Sequence, residues 1–128
     1  MTKRKTKDSL GFVEIPSDKL WGGVSQRSLN NFRIGNHIMP LEIIYALAEI
    51  KLSAAKVNFE EKLIDSNKLG LIEKVTDEII SGKLDDHFPL SIWQTGSGTH
   101  TNMNLNEVIA NRAEQTETGD VSGDYKVL

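Results

Sequence analysis

The chain contains no cysteine. That excludes a disulfide framework, a thiolate metal site and a cysteine nucleophile, and it suits a reducing compartment, so a cytoplasmic location is expected. No stretch approaches the roughly 18 consecutive apolar residues of a membrane span. No hydrophobic segment follows the basic start MTKRKTKDS, as a secretory signal would require. Nor is there an excess of positive charge: the formal net charge is -3 over 128 residues. Bulk electrostatics therefore give no reason to expect nucleic acid or an anionic membrane as partner. What remains is a chain with 38% hydrophobic and 26% charged residues, the balance of a soluble globular protein with a modest core.

Residues 1–7, with Lys3, Arg4, Lys5 and Lys7, read as a flexible, solvated basic tail. Phe12-Val13-Glu14-Ile15 is a strand candidate and Pro16-Ser17-Asp18 a turn. A second extended piece around Leu20-Trp21 would complete a small hairpin. Between Gly22 and Met39 no periodicity stands out, only a polar connection with Arg27, Arg33 and His37. A helix is expected from Pro40, since proline is tolerated at a first helical position. Ile43, Leu47, Ile50, Ala54 and Val57 form one apolar stripe along it, and Leu41, Ile44, Ala48, Leu52, Ala55 and Phe59 a second. Two stripes predict a helix covered on most sides.

A further helix is expected from Asp65 or Ser66 to Ser81, with Gly82 as a left-handed terminator. Leu69, Ile72, Val75 and Ile79 mark its buried face, and Asp77 and Glu78 read as solvated charges. The last helix is expected from Asn102 or Asn104 to Arg112, Asn104 with Glu107 having capping-box spacing. Residues 114–128 read as a loop or mobile tail ending in the apolar cluster Tyr125-Lys126-Val127-Leu128. The expected fold is mainly α with a small N-terminal β-hairpin (α+β). It is a thin domain for so apolar a long helix, and the chain is read as part of a larger protein.

The most informative stretch is Ile92-Trp93-Gln94-Thr95-Gly96-Ser97-Gly98-Thr99-His100-Thr101-Asn102-Met103-Asn104. Glycines let backbone approach a ligand closely, and a helix start offers unpaired N–H groups and partial positive charge. Ser97, Thr99 and Thr101 add hydroxyl donors, so the guest this suits is a carboxylate or phosphate. Other loop chemistries fit poorly. There is no lysine for a Walker loop, only Gly96 and Gly98 for a dinucleotide fingerprint, and glycines directly beside Ser97 instead of nucleophile-elbow spacing. Asp85, Asp86 and His87 are consecutive, so their side chains diverge and no metal site is expected. A plain structural cap explains the same composition, and spacing alone leaves the two readings open. Trp21 and Trp93 read as packing anchors, and His87 and His100 as exposed or hydrogen-bonded loop residues.

Longer motifs add a resemblance. The run from Pro89 through Trp93-Gln94-Thr95-Gly96-Ser97-Gly98-Thr99 to Asn106-Glu107-Val108-Ile109-Ala110-Asn111-Arg112-Ala113 resembles the N-terminal region of class II fumarate hydratases. Trp21-Gly22-Gly23-Val24-Ser25-Gln26-Arg27-Ser28, Met39-Pro40-Leu41-Glu42 and Gly82-Lys83-Leu84-Asp85-Asp86-His87-Phe88-Pro89 fall in matching order, covering about residues 8–113 as one N-terminal domain. His100 stands where the family usually has glutamine, and Gly23-Val24-Ser25 replaces Ala-Gln-Thr. The resemblance implies reversible hydration of fumarate to (S)-malate without metal or organic cofactor. It implies substrate binding by Ser97, Gly98 and Thr99, with His100, Thr101 and Asn102 as possible support. It also implies a homotetrameric parent whose active sites combine segments of several subunits. The catalytic serine loop, the assisting histidine and the central helical bundle are expected outside these residues, leaving this piece inactive alone. A fragment of an aspartate ammonia-lyase and a stand-alone anion-binding module are the alternatives.

Overall fold

The computed structural model describes residues 2–123; the Tyr125-Lys126-Val127-Leu128 cluster lies outside them. Strand β1 (Lys3–Asp8) pairs antiparallel with β2 (Gly11–Pro16), Thr6 standing opposite Val13. The basic arm is thus not a solvated tail. Its lysines face water while Thr6 is buried, and the hairpin closes at residues 9–10, not across residues 16–19. Polar contacts help dock the hairpin on the rest. Asp8 accepts a two-pronged ion pair from Arg27, Nε–Oδ2 2.7 Å and Nη2–Oδ1 2.8 Å, and the Arg4 guanidinium donates to the backbone carbonyls of Lys19 and Trp21.

Helix α1 (Gly23–Asn31) occupies the stretch expected to be an aperiodic connection. Its buried residues are Gly23, Ser25 and Ser28, so its core face is small and polar and leaves no hydrophobic signature. Helix α2 (Leu41–Glu60) starts one residue beyond Pro40, which caps it from outside. Ile44, Ala48 and Ala55 of its second stripe are buried, whereas Ile43, Ile50 and Val57 of the first are 44%, 63% and 55% exposed. Among the described residues, one side of α2 is therefore covered, by α3 and α4.

Helix α3 (Ser66–Ile80) has the expected ends: Asp65 accepts from the Lys68 N–H at 2.8 Å, and Gly82 has φ +83°. Its buried line includes Leu71 and Thr76 beside Val75 and Ile79, while Leu69 is only half-buried. Glu78 is not a solvated charge. Arg112 grips it with both prongs, Nε–Oε2 at 2.7 Å and Nη2–Oε1 at 3.0 Å.

Helix α4 (Thr99–Thr118) is longer at both ends than expected and is closed by Gly119 at φ +80°. Leu105, Val108, Ile109 and Ala113 join Ile15, Trp21, Ile44, Val75, Ile79 and Phe88 in one core. Another face of α4 carries His100, Asn104, Glu107 and Asn111, spaced 4, 3 and 4 residues apart, so they line one side of the helix. Each reaches across to a different partner. His100 meets Ser28, Asn104 donates to the His87 carbonyl at 3.1 Å, Glu107 accepts from Ser25, and Asn111 donates to the Leu20 carbonyl at 2.6 Å. Buried polar groups are costly unless paired, so this ladder admits one register of α4 against α1 and its approach. It also removes the expected capping box, because Asn104 and Glu107 sit well inside the helix with their side chains engaged elsewhere.

Candidate functional site

The glycine- and hydroxyl-rich loop leads into the N-terminus of α4. Gln94 braces it from beneath: its Nε2 donates to the Ser91 carbonyl at 3.0 Å, and its Oε1 accepts from both the backbone N–H and the hydroxyl of Thr101, each at 2.9 Å. A turn follows, the Gly98 N–H donating to the Thr95 carbonyl at 3.2 Å. Gly98 has φ +75°, a conformation in which a side chain would be strained, and it is the residue from which α4 springs. The Asn102 N–H returns to the Gly98 carbonyl at 3.1 Å, so the helix begins tightly.

This geometry brings three exposed hydroxyls into a row. Ser97 Oγ lies 2.9 Å from Thr99 Oγ1 and 3.4 Å from Thr95 Oγ1. Beside them, the N–H groups of Thr99 and His100 are first-turn donors that have no carbonyl one turn back to bond. Exposed hydroxyls in contact with one another, beside first-turn amides at the positive end of a 20-residue helix, have the chemistry that suits an anion. Thr95 belongs to this row although its position in the sequence gave no reason to single it out.

The other expected supporting residues sit behind that surface. Thr101 is buried and its hydroxyl is committed to Gln94, so it shapes the loop and does not face a ligand. Asn102 Oδ1 accepts from Lys51 Nζ of α2 at 2.8 Å. Partial burial lowers the Lys51 pKa, and its ammonium nonetheless places a positive group against the start of α4. His100 Nδ1 lies 2.8 Å from Ser28 Oγ, with Phe32 meeting the ring edge-on at 5.5 Å. Trp93 is 57% exposed, so it is no core anchor; it lies over Gly35, where a Cβ would stand 3.3 Å from its Nε1. Trp21, by contrast, is buried as expected and donates to Gln26 at 2.9 Å.

Two titratable groups, half-buried His87 and buried Glu107, flank the assembly. His87 Nδ1 accepts from the Leu20 N–H at 3.0 Å, and burial, aided by Lys19, pushes its pKa down, so it is neutral in the fold. Glu107 Oε1 accepts from the Ser25 N–H at 3.1 Å and from its hydroxyl at 3.3 Å. Burial pushes the Glu107 carboxyl up to about 7, and the Ser25 donors offset only part of that. Among the described residues no group of three or more His, Asp or Glu side chains is placed to hold a metal ion, and no helix is long and apolar enough to cross a membrane.

A small hairpin and four helices whose last helix opens on a hydroxyl row define the class: the chain belongs to the lyase family, whose model matches residues 11–125. Within it, the chain is 52% identical over 124 residues to class II fumarate hydratase 2 of Bradyrhizobium diazoefficiens, covering 97% of this chain and 26% of that protein. It is also 52% identical over its whole length to the class II fumarate hydratase of Wigglesworthia glossinidia brevipalpis, covering 27% of that protein. The crystal structure of the class II fumarase of Schistosoma mansoni superposes with a TM-score of 0.94 at 43% identity, covering 99% of this chain and 27% of that one. These relatives are fumarate hydratases and not aspartate ammonia-lyases, and the chain spans about a quarter of their length.

Proposed function

We propose that this chain supplies the dicarboxylate-binding loop of a class II fumarate hydratase, which adds water reversibly to fumarate to give (S)-malate. The observation that carries the reading is the row of Thr95, Ser97 and Thr99 hydroxyls at the unpaired N-terminus of α4. In that reaction, removal of the C3 proton of malate sends negative charge onto the adjacent carboxylate. Donors already aimed at the carboxylate stabilise that charge without reorganising. Ser97, Gly98 and Thr99 hold and orient the carboxylate; His100 and Asn102 fix the loop behind them. None of these residues is assigned as the base, since His100 is already engaged with Ser28. The reaction needs no metal or organic cofactor in this reading.

The catalytic groups come from other segments, in a homotetramer whose subunits share each site, working in the cytoplasm. Residues 1–128 alone are then a half-site without turnover. The test is fumarate hydration by the full-length enzyme carrying this chain, with and without Thr99→Ala. A loop serving as a stand-alone anion module would leave hydration untouched by that change.

A further inference from the structure

His100 is the second residue of α4 and the chain neighbour of Thr99. Its imidazole makes two contacts that together set ring depth and tilt. One is the 2.8 Å bond to Ser28 Oγ, on a serine only 4% exposed within α1; the other is the edge of Phe32, with ring planes at 67°. The rest of α4 has ties of its own. Asn104, Glu107 and Asn111 anchor the helix one to three turns further in, and Gln94 satisfies the Thr101 N–H. What the imidazole adds is a tie from the first turn, the turn that bears the hydroxyl row, to the buried face of α1.

We propose that His100, held by Ser28 and Phe32, is a positioning residue that fixes the Ser97 and Thr99 hydroxyls for a dicarboxylate. The proposal deepens the reading above and rests on it for the identity of the guest. The lever is short: the Cα atoms of His100 and Thr99 are one peptide apart, about 3.8 Å. A first turn free to fray would carry Thr99 Oγ1 and the two unpaired N–H groups with it. Misplacement of a binding group by about 1 Å is enough to weaken recognition sharply. Ser28 is the fixed end of the tie, because its burial on α1 leaves its hydroxyl little freedom.

The test uses the full-length enzyme carrying this chain, isotopically labelled, as the unaltered protein and as His100→Ala, His100→Gln and Ser28→Ala. Three quantities are read by NMR: amide hydrogen exchange at Thr101, Asn102 and Met103, the imidazole nitrogen shifts of His100, and the fumarate dissociation constant. A lost hydrogen bond of ordinary strength corresponds to roughly a five-fold change. His100→Ala should speed exchange at the three amides and weaken fumarate binding by about that factor. His100→Gln, which keeps a hydrogen-bonding side chain, should recover most of both. Ser28→Ala should weaken fumarate as His100→Ala does and release the imidazole from a single tautomer. Unchanged exchange and affinity in His100→Ala would overturn the proposal, as would a glutamine variant no better than alanine. Faster exchange in a full-length enzyme that binds no fumarate even unaltered would uphold the tie and overturn the dicarboxylate reading.

Discussion

Glu107→Gln is the perturbation whose sign and size the structure states most clearly. The carboxyl is 3% exposed, bonded through Oε1 to Ser25, with Oε2 buried without a hydrogen bond of normal geometry among the described residues. It borders a cavity of about 100 Å³ that Thr6, Lys7, Asp8, Gly23, Val24 and Met103 also line. Burial raises it from 4.5 to about 7, so the fold favours the protonated acid. The stability this group contributes is complete below about pH 4.5 and is lost as pH rises through 7, because the unfolded chain ionises first. At about 1.4 kcal/mol per pH unit, the gap amounts to ~3 kcal/mol. Glutamine has the same shape, accepts from Ser25 and cannot ionise. Its variant should be up to ~3 kcal/mol more stable than the parent at pH 8 and within ~1 kcal/mol of it at pH 5. His87 slopes the other way: its lowered pKa gives stability present above about 6.5 and lost as pH falls, and it cancels in the difference between the two proteins. The assay is urea unfolding followed by the fluorescence of buried Trp21, at half-unit steps from pH 5 to 8. A constant offset between parent and variant across that range would refute the reasoning.

The remaining predictions concern the ion pair and the loop. Arg112→Lys should cost about 1 kcal/mol, because lysine cannot span both Glu78 oxygens and Gln115 as the guanidinium does. Arg112 holds the Glu78 carboxyl below its usual range, a contribution present above about pH 4.5 and lost as pH falls, so unfolding curves of parent and variant should converge in acid. Gly98→Ala should also cost about 1 kcal/mol in urea unfolding, from its positive φ alone, since no atom lies within 4 Å of the added Cβ. A neutral result there would mean the turn has a second conformation of equal energy.

The parts of this fold legible in the sequence are those fixed locally. Asp65 caps the turn it belongs to and Gly82 ends the helix it follows, so α3 was readable within a residue at each end. Helix α1 was not, because Ser25 and Ser28 are buried against Glu107 and His100, partners 82 and 72 residues away. Polar residues that satisfy one another across such distances carry no periodic apolar signal. The same ladder explains the misplaced start of α4: Asn104 and Glu107 have capping spacing, but tertiary contacts use both side chains. In β1, a run of lysines conceals a strand that only its pairing with β2 reveals. On α2 both apolar stripes were visible, yet spacing alone does not say which one the core covers. The site divides similarly. Residues 97–99 stand out by composition, whereas the role of Gln94 as brace and of Thr95 as third hydroxyl emerges only from geometry.

The measurement that bears most directly on the central claim is kcat/KM for fumarate in the full-length enzyme carrying Thr99→Ala. A hydrogen bond to a charged group is worth about 1.5–3 kcal/mol, so kcat/KM should fall by roughly one to two orders of magnitude. An unchanged kcat/KM would remove Thr99 from the site and contradict the account.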